Sequence, residues 1–304
     1  MMRAYRELEQ EGRLNVRIRE QCLLPQIDRL KEFIKEEIAK RHDTPMVQAG
    51  PLKLLTDGSL GGRSAYLRAP YADAPDTRGI AVFTQEELDE LVVTAHQSKM
   101  GVVCHAIGDG AMEMAVRAYE RAMEANPDRT DRRHGIVHCQ ITTGRLLEAF
   151  RRLRLHAYIQ SIFLDYDNHI VEARIGAERA GKTYQFKTLL SMGVSVSNGS
   201  DCPVERPDVM AGIQCAVTRT TLDGTKTFLK EQALTVEEAI STYTAMGAEA
   251  SFEEQEKGTL SVGKLADFAV LERDIRACAP DRIKDTAVLE TYVGGVCVYK
   301  KENS

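Results

Sequence analysis

The chain has 304 residues, 43% of them apolar and 28% charged, which is enough material for a full-sized hydrophobic core. Its formal net charge of −5 and the lack of a basic stripe argue against a nucleic-acid partner. No apolar run approaches the roughly 18 residues that span a bilayer. The N-terminus carries acids where a signal peptide has an apolar segment.

Cysteine usage predicts a reducing compartment. There are seven cysteines, an odd number, and no two of them form Cys-x-x-Cys. Reduced thiols in a cytoplasmic protein are therefore expected.

The first half of the chain alternates predicted helices with predicted strands. Helices are predicted near 3–11, 27–38, 85–97 and 111–122, and strands at 14–18, 51–57 and 101–105. A long irregular loop follows the turn Asp57-Gly58, and Asp109 is the predicted N-cap of the helix near 111–122.

The second half continues this pattern and then changes. Strands are predicted at 135–138, 155–160 and 194–201, and helices near 144–152, 184–192, 208–219 and 236–249. The tail has only short β pieces, at 258–260, 266–271 and 289–299. We therefore predict two domains, a (β/α) barrel over 1–250 and a β appendage over 251–304.

Three predicted strands end on residues that bind metals. His105, His138 and Asp201 close successive parallel strands, an arrangement typical of a metal site at the C-terminal face of a (β/α) barrel. From Lys53 to Asp201 the strand-to-strand spacing averages about 37 residues, a normal βα unit. Only 52 residues precede Lys53, so we predict an incomplete (β/α)8 barrel. Its sheet edges near Leu14 and Val194 would be unpaired and open to association.

Each of these residues also has an ordinary structural explanation. A single buried histidine is more often a hydrogen-bonded core residue, Asp201 before Pro203 could serve a turn, and a strand-end lysine often pairs with a nearby acid such as Asp57. The ordered set favours the metal site. Cys104 and Cys139 adjoin the two histidines but point to the opposite faces of their strands, so core packing is expected for both.

Several blocks together resemble the metal-dependent amidohydrolase superfamily, in particular its YtcJ-like subfamily, which includes N-substituted formamide deformylases. They are Lys53-Leu-Leu-Thr-Asp-Gly-Ser-Leu-Gly, His105-Ala-Ile-Gly-Asp, Arg133-His-Gly-Ile-Val-His138, Gly199-Ser-Asp201-Cys-Pro-Val and the block from Gly258 to Leu271. The resemblance runs from about residue 3 to 300 and covers the C-terminal part of such an enzyme, about strands 3–8 of the barrel and a remnant C-terminal β-sandwich.

The resemblance implies a role for each strand-end residue. Lys53 would be carboxylated and bridge two metal ions, His105 and His138 would bind one ion, and Asp201 would bind the other. The implied cofactor is zinc, as one or two ions. The implied reaction is hydrolysis of a non-peptide C–N bond in a small amide or formamide by a metal-activated hydroxide, with Asp201 moving the proton to the leaving amine.

The chain departs from the family at one point. Such enzymes carry a His-x-His pair on the first barrel strand, whereas the histidines here are 42, 96, 105, 134, 138, 156 and 169. The sequence therefore looks truncated. Two alternatives to an active hydrolase stay open: a catalytically inactive remnant, and one half of a split enzyme completed by an N-terminal partner chain.

Further candidates carry less chemistry. Arg63, Gln160 and Arg219 are predicted substrate contacts. The string Gly176-Ala-Glu-Arg-Ala-Gly-Lys-Thr183 matches a phosphate-binding loop, but a charged segment precedes it instead of a buried strand. We interpret that match as chance. His134 and His138 would lie about 13 Å apart along a strand, so His134 cannot replace the missing pair.

Overall fold

The computed structural model describes residues 2–40, 42–130 and 132–302, and its fold is α/β. A six-stranded sheet has its strands in sequence order, and a separate three-stranded sheet is antiparallel. The larger sheet consists of β1 (Ile18–Leu23), β2 (Val47–Leu55), β3 (Val102–Ala106), β4 (Gly135–His138), β5 (His156–Ile159) and β6 (Val196–Asn198). The smaller consists of β7 (Phe268–Leu271), β8 (Val288–Val293) and β9 (Val296–Lys300).

Helices follow most of the strands. In the N-terminal part they are α1 (Met2–Gln10), α2 (Ile27–Phe33, continued by a π-helical turn at Ile34–Ile38), α3 (Gln85–Gln97), α4 (Asp109–Ala125) and α5 (Gly144–Leu153). In the C-terminal part they are α6 (Leu164–Asp167), α7 (Val171–Ile175), α8 (Ala177–Ala180), α9 (Phe186–Ser191), α10 (Val209–Thr218), α11 (Val236–Tyr243) and α12 (Ala245–Ala250). Short 3-10 helices lie at Ser161–Phe163, Lys230–Gln232 and Pro280–Asp285. In the described part of the chain, no helix is long and apolar enough to cross a membrane.

Four details of the sequence prediction are wrong. The first strand is Ile18–Leu23, not 14–18, because Ile18 is the residue that pairs with Val47 of β2. No strand forms at 258–260, since Gly258 has a φ of 92°, outside the β region. The helix predicted at 236–249 breaks at Thr244 into α11 and α12. The N-cap of α4 is Gly108, and Asp109 is the first helical residue.

The chain divides into two compact units. The first runs to Ala157 and also includes Arg174–Thr183, and the second consists of Tyr158–Ala173 and Tyr184–Ser304. In the first unit, β1 to β4 pair in parallel, and apolar faces of α3 and α4 are buried. Tyr119 of α4 is fully buried, and its hydroxyl donates to the Gly135 carbonyl at 2.6 Å. This bond ties the helix to the sheet at β4.

The second unit has its own apolar core. Buried residues of α10, α11 and the segments near Ile275 and Ile283 pack together; they are Met210, Ile213, Ala216, Leu234, Ala239, Ile275 and Ile283. The end of β6 is fixed within this unit, because Asn198 Oδ1 accepts from the Ser161 backbone N at 3.0 Å and Ser161 Oγ donates to the Gly212 carbonyl at 2.7 Å. In the smaller sheet, the rings of Phe268 and Tyr292 stack with centroids 4.5 Å apart.

Candidate metal centre

His105 is the second-to-last residue of β3. Its side chain lies on the same face of the sheet as the side chains of Leu55 and Val137. These residues are its partners on the two neighbouring parallel strands, and paired residues of parallel strands point to the same face. The His105 side chain is 15% exposed, so solvent reaches it. It is therefore accessible at the C-terminal end of its strand.

His138 ends β4 but leaves the strand conformation there. Its strand partner is Ala106, so regular alternation would place its ring on the face opposite to His105. His138 and Cys139 instead have φ angles of 81° and 52°, values that residues other than glycine rarely adopt. The sequence interpretation that both histidines share a face holds only because of this departure from the strand.

The two imidazoles meet directly. His138 Nε2 lies 2.8 Å from His105 Nδ1, and the ring planes are nearly perpendicular, at 77°. The other nitrogen of His105, Nε2, lies 3.2 Å from the Gly58 carbonyl oxygen and 3.2 Å from Asp57 Oδ1. His105 is thus held on one side by β2 and its turn, and faces His138 on the other.

For Asp57, directly after β2, the sequence predicts only a turn or an ion pair with Lys53. Its carboxylate is fully buried and accepts from the backbone N–H groups of Ile107, Gly108 and Tyr66, at 3.1, 2.8 and 2.9 Å. The sequence signal was a carboxylate in an Asp-Gly turn at the C-terminal end of a strand, next to the predicted site.

Glycines allow the loop after β2 to approach the turn after β3 closely. A Cβ at Gly108 would lie 1.9 Å from the Tyr66 carbonyl oxygen, and one at Gly110 would lie 2.9 Å from the Tyr66 ring. The Gly110 and Ala111 backbone N–H groups both donate to that same carbonyl, at 3.0 and 3.2 Å. The loop is therefore fixed against the β3–α4 turn beside the histidine pair.

A second histidine pair shows that such a contact alone does not make a metal site. His134 Nε2 lies 2.8 Å from His96 Nδ1, but His134 Nδ1 accepts from the Val102 backbone N at 3.0 Å, and His96 Nε2 faces the Asn126 carbonyl at 3.4 Å. Every ring nitrogen of this pair has a hydrogen-bond partner, and both residues are fully buried. His134 therefore belongs to a hydrogen-bonded structural cluster with His96.

Lys53 and Asp201, the other predicted ligands, differ in burial and in secondary structure. Lys53 is half-buried in β2, beside Leu23 of β1 and Val103 of β3. Asp201 follows β6 in the second unit, is exposed, and has a φ of 57°. Their roles stay predictions.

The three predicted substrate contacts differ in exposure. Arg63 is 39% exposed and forms a two-pronged ion pair with Asp73, at 3.0 and 2.8 Å. Gln160 is 7% exposed, at the end of β5. Arg219 is fully buried in the second unit and donates to the carbonyls of Phe228 and Tyr184, at 3.1 and 3.2 Å, and burial lowers its pKa to about 10.

The predictions for cysteines and for the phosphate-loop string agree with the structure. Cys104 and Cys139 are fully buried free thiols, and burial raises the pKa of Cys104 to about 11, so a thiolate ligand is not favoured there. Helix α7, not a strand, precedes Gly176, and Thr183 donates its hydroxyl to the Ala180 carbonyl. That string is not built to hold a phosphate.

Comparison with known proteins decides the family. An amidohydrolase family model (Amidohydro_3) matches residues 1–299. The chain belongs to the amidohydrolase family.

The relatives of this chain align with it over only part of their own length. The chain is 34% identical to the putative amidohydrolase YtcJ of Bacillus subtilis (strain 168) over 259 residues, which cover 84% of this chain and 48% of YtcJ. It is 27% identical to the N-substituted formamide deformylase of Arthrobacter pascens, over 74% of this chain and 41% of that protein. The chain thus spans about half the length of the curated relatives it matches.

A solved structure of a metal-dependent hydrolase shares the fold. An uncharacterized metal-dependent hydrolase from Pyrococcus horikoshii OT3 superposes with a TM-score of 0.79 at 29% identity, over 92% of this chain and 55% of that one. The sequence prediction of the family is confirmed by these matches.

Amidohydrolase membership suggests a divalent metal, and the histidine pair fits two of its ligands. Two imidazole nitrogens bound to one tetrahedral zinc ion lie about 3.3 Å apart, so roughly half an ångström of outward movement would bring both lone pairs onto one ion. In the described ranges, no three His, Cys, Asp or Glu side chains form a group that could hold a metal ion.

Proposed function

We propose that this amidohydrolase chain hydrolyses a non-peptide C–N bond in a small amide or formamide, using a divalent metal held in part by His105 and His138. The contact that carries the proposal is the 2.8 Å approach of His138 Nε2 to His105 Nδ1 at the C-terminal ends of adjacent parallel strands. The likeness to an N-substituted formamide deformylase supports the substrate class.

We further propose the ligand set and the metal. Lys53, carboxylated, and Asp201 would join the two histidines, and zinc, as one or two ions, suits imidazole nitrogens. Bound there, a divalent ion would lower the pKa of a water towards neutral and would polarise the amide carbonyl. A carboxylated Lys53 would add an oxygen ligand to the two imidazoles.

The chain's own residues would then position the substrate and move the proton. The Asp201 carboxylate would accept the proton of the attacking water and return it to the nitrogen of the leaving amine. Arg63, Gln160 and Arg219 are the proposed substrate contacts. Hydrolysis consumes one water and releases one carboxylic acid, formate from a formamide, and one amine.

The remaining sequence predictions are proposals of the same kind. The larger sheet would correspond to about strands 3–8 of a (β/α)8 barrel. The barrel domain would be residues 1–250 and the β-sandwich remnant residues 251–304. The protein would be cytoplasmic. Copies of the chain would associate, or a complementing N-terminal chain would carry the His-x-His strand. The inactive remnant is the competing proposal.

A hydrolysis assay tests the activity. Zinc-loaded protein is incubated with a panel of N-formyl and N-acyl amines, and the amine and the acid released are both quantified. We expect equal amounts of the two products and a loss of more than about 100-fold in the His138→Ala variant. His42→Gln, an exposed histidine elsewhere, is the matched control and should keep full activity. Zinc-loaded protein that releases no amine from any member of the panel would favour the inactive remnant.

A further inference from the structure

We propose that Asp57 is a positioning residue for the metal centre, fixing the proton of His105 on Nε2 so that Nδ1 faces His138 and the ion. This inference rests on the proposed function, because it assigns a new residue to the same site. It concerns a carboxylate that would not itself touch the metal.

The surroundings of Asp57 are built for a carboxylate. Its side chain is fully buried, three backbone N–H groups donate to it, and His105 Nε2 lies within 3.2 Å of it. Oδ1 faces the Ile107 backbone N at 3.1 Å and His105 Nε2 at 3.2 Å, whereas Oδ2 faces the backbone N of Gly108 at 2.8 Å and of Tyr66 at 2.9 Å. An acceptor with two oxygens satisfies the three backbone donors and places Oδ1 beside the His105 ring.

This arrangement determines which nitrogen of His105 carries the proton. Nε2 has two oxygen neighbours, the Gly58 carbonyl, to which it donates, and Asp57 Oδ1, both at 3.2 Å. A neutral imidazole with its proton on Nε2 has its lone pair on Nδ1. Nδ1 is the nitrogen that lies 2.8 Å from His138 Nε2.

Asp57 also holds the segments that surround the ring. It follows β2, binds the β3–α4 turn through Ile107 and Gly108, and binds the loop through Tyr66. A histidine ligand whose other nitrogen is oriented by a carboxylate or a carbonyl binds metal more tightly, and loss of such a partner typically lowers metal affinity by 10- to 100-fold. We therefore expect Asp57 to govern metal affinity without being a ligand.

Asp57→Asn is the informative variant, because it keeps the shape of the side chain and replaces one acceptor oxygen by an NH2 group. Whichever way the amide is turned, its NH2 group faces either two backbone N–H groups or one backbone N–H group and the His105 ring. With the NH2 in the place of Oδ1, it opposes the proton on His105 Nε2 and favours the Nδ1–H form of the ring. Asp89→Asn is the matched control, since Asp89 is also a buried carboxylate but binds Gln85 and Arg121.

Two measurements test the inference. Long-range ¹H–¹⁵N NMR of the metal-free protein at pH 8 reports which nitrogen of His105 is protonated, and competition against a chromophoric chelator gives the zinc affinity. We expect the Nε2–H form in the unsubstituted protein and in Asp89→Asn. In Asp57→Asn we expect a shift towards Nδ1–H and a 10- to 100-fold weaker zinc affinity.

The outcomes separate this inference from the proposed function. An Nδ1–H ring in the unsubstituted protein, a measurement that needs no variant, overturns the positioning role. Unchanged zinc affinity in folded Asp57→Asn overturns it too, while the proposed function stands. An unsubstituted protein that has the Nε2–H ring but binds no zinc overturns the proposed metal chemistry instead, and the hold of Asp57 on the ring is then supported by the NMR shift alone.

Discussion

Between pH 8 and pH 5 the protein is expected to lose several kcal/mol of unfolding free energy, because buried neutral histidines must take up protons when it unfolds in acid. Burial, followed by nearby arginine charges, lowers the pKa values of His96 and His134, and burial lowers that of His156 to about 3. The unfolded chain, with histidine pKa values near 6.5, therefore binds more protons below that pH. Stability is then fully present above about pH 6.5 and falls as the pH falls.

The hydrogen bonds of the His96–His134 pair explain why neither ring is readily protonated. The Val102 N–H donates to His134 Nδ1, so the His134 proton is on Nε2 and is donated to His96 Nδ1. A proton added to either acceptor nitrogen would put two donors face to face. For His156 alone, whose folded pKa is about 3, the loss by pH 5 is roughly 2 kcal/mol.

Urea unfolding at a series of pH values measures this loss. His134→Gln removes one of the titrating groups, so its stability should depend less steeply on pH below 6.5, whatever its stability at pH 8. His42→Gln, at an exposed position, should follow the unsubstituted protein. An unfolding free energy that stays level from pH 8 to pH 5 would contradict the assignment of these histidines as buried and neutral.

Arg219→Ala is expected to destabilise the protein by about 2–5 kcal/mol, because it removes a hydrogen-bond donor from each of two buried carbonyls and opens a cavity. The guanidinium donates to the Phe228 and Tyr184 carbonyls, lies over the Phe186 ring at 5.8 Å, and is fully buried. Arg219 also ends α10 with a φ of 56°. The effect follows from these contacts and holds whether or not the residue also contacts substrate.

Arg145→Ala provides the comparison for Arg219. The Arg145 side chain is 77% exposed and lies 3.6 Å from Glu113, a surface ion pair of the kind that contributes little. Urea unfolding at pH 8 should place Arg145→Ala within about 0.5 kcal/mol of the unsubstituted protein. If the unfolding free energy of Arg219→Ala were also within about 0.5 kcal/mol of the unsubstituted protein, Arg219 would not hold the segments of Tyr184 and Phe228 together.

The elements that the sequence predicted well have strong local signals. The helix predicted near 85–97 forms at Gln85–Gln97, and Thr84 and Glu87 form a capping box at its start. The strands ending near His105 and His138 are short β-branched runs closed by turn residues, and both appear in the sheet. Local periodicity was enough for these.

The details of the site depend on contacts between distant parts of the chain. Asp57 accepts from Tyr66 and Gly108 across the β2 loop, and nothing local to Asp57 shows that three backbone N–H groups and the His105 ring converge on it. The positive φ of His138, which turns its ring towards His105, is likewise not visible in the run Gly135–His138. The first strand was misplaced because alternation at 14–18 resembles a strand, whereas pairing with β2 begins at Ile18.

Zinc content per chain tests most directly whether His105 and His138 form a metal centre. The metal-free protein, His138→Ala and His42→Ala are dialysed against zinc at pH 8, freed of unbound metal and measured by elemental analysis. We expect at least about one zinc per chain in the unsubstituted protein and in His42→Ala, and loss of the zinc in folded His138→Ala. Equal zinc content in the unsubstituted protein and His138→Ala, or no zinc in either, would contradict this expectation.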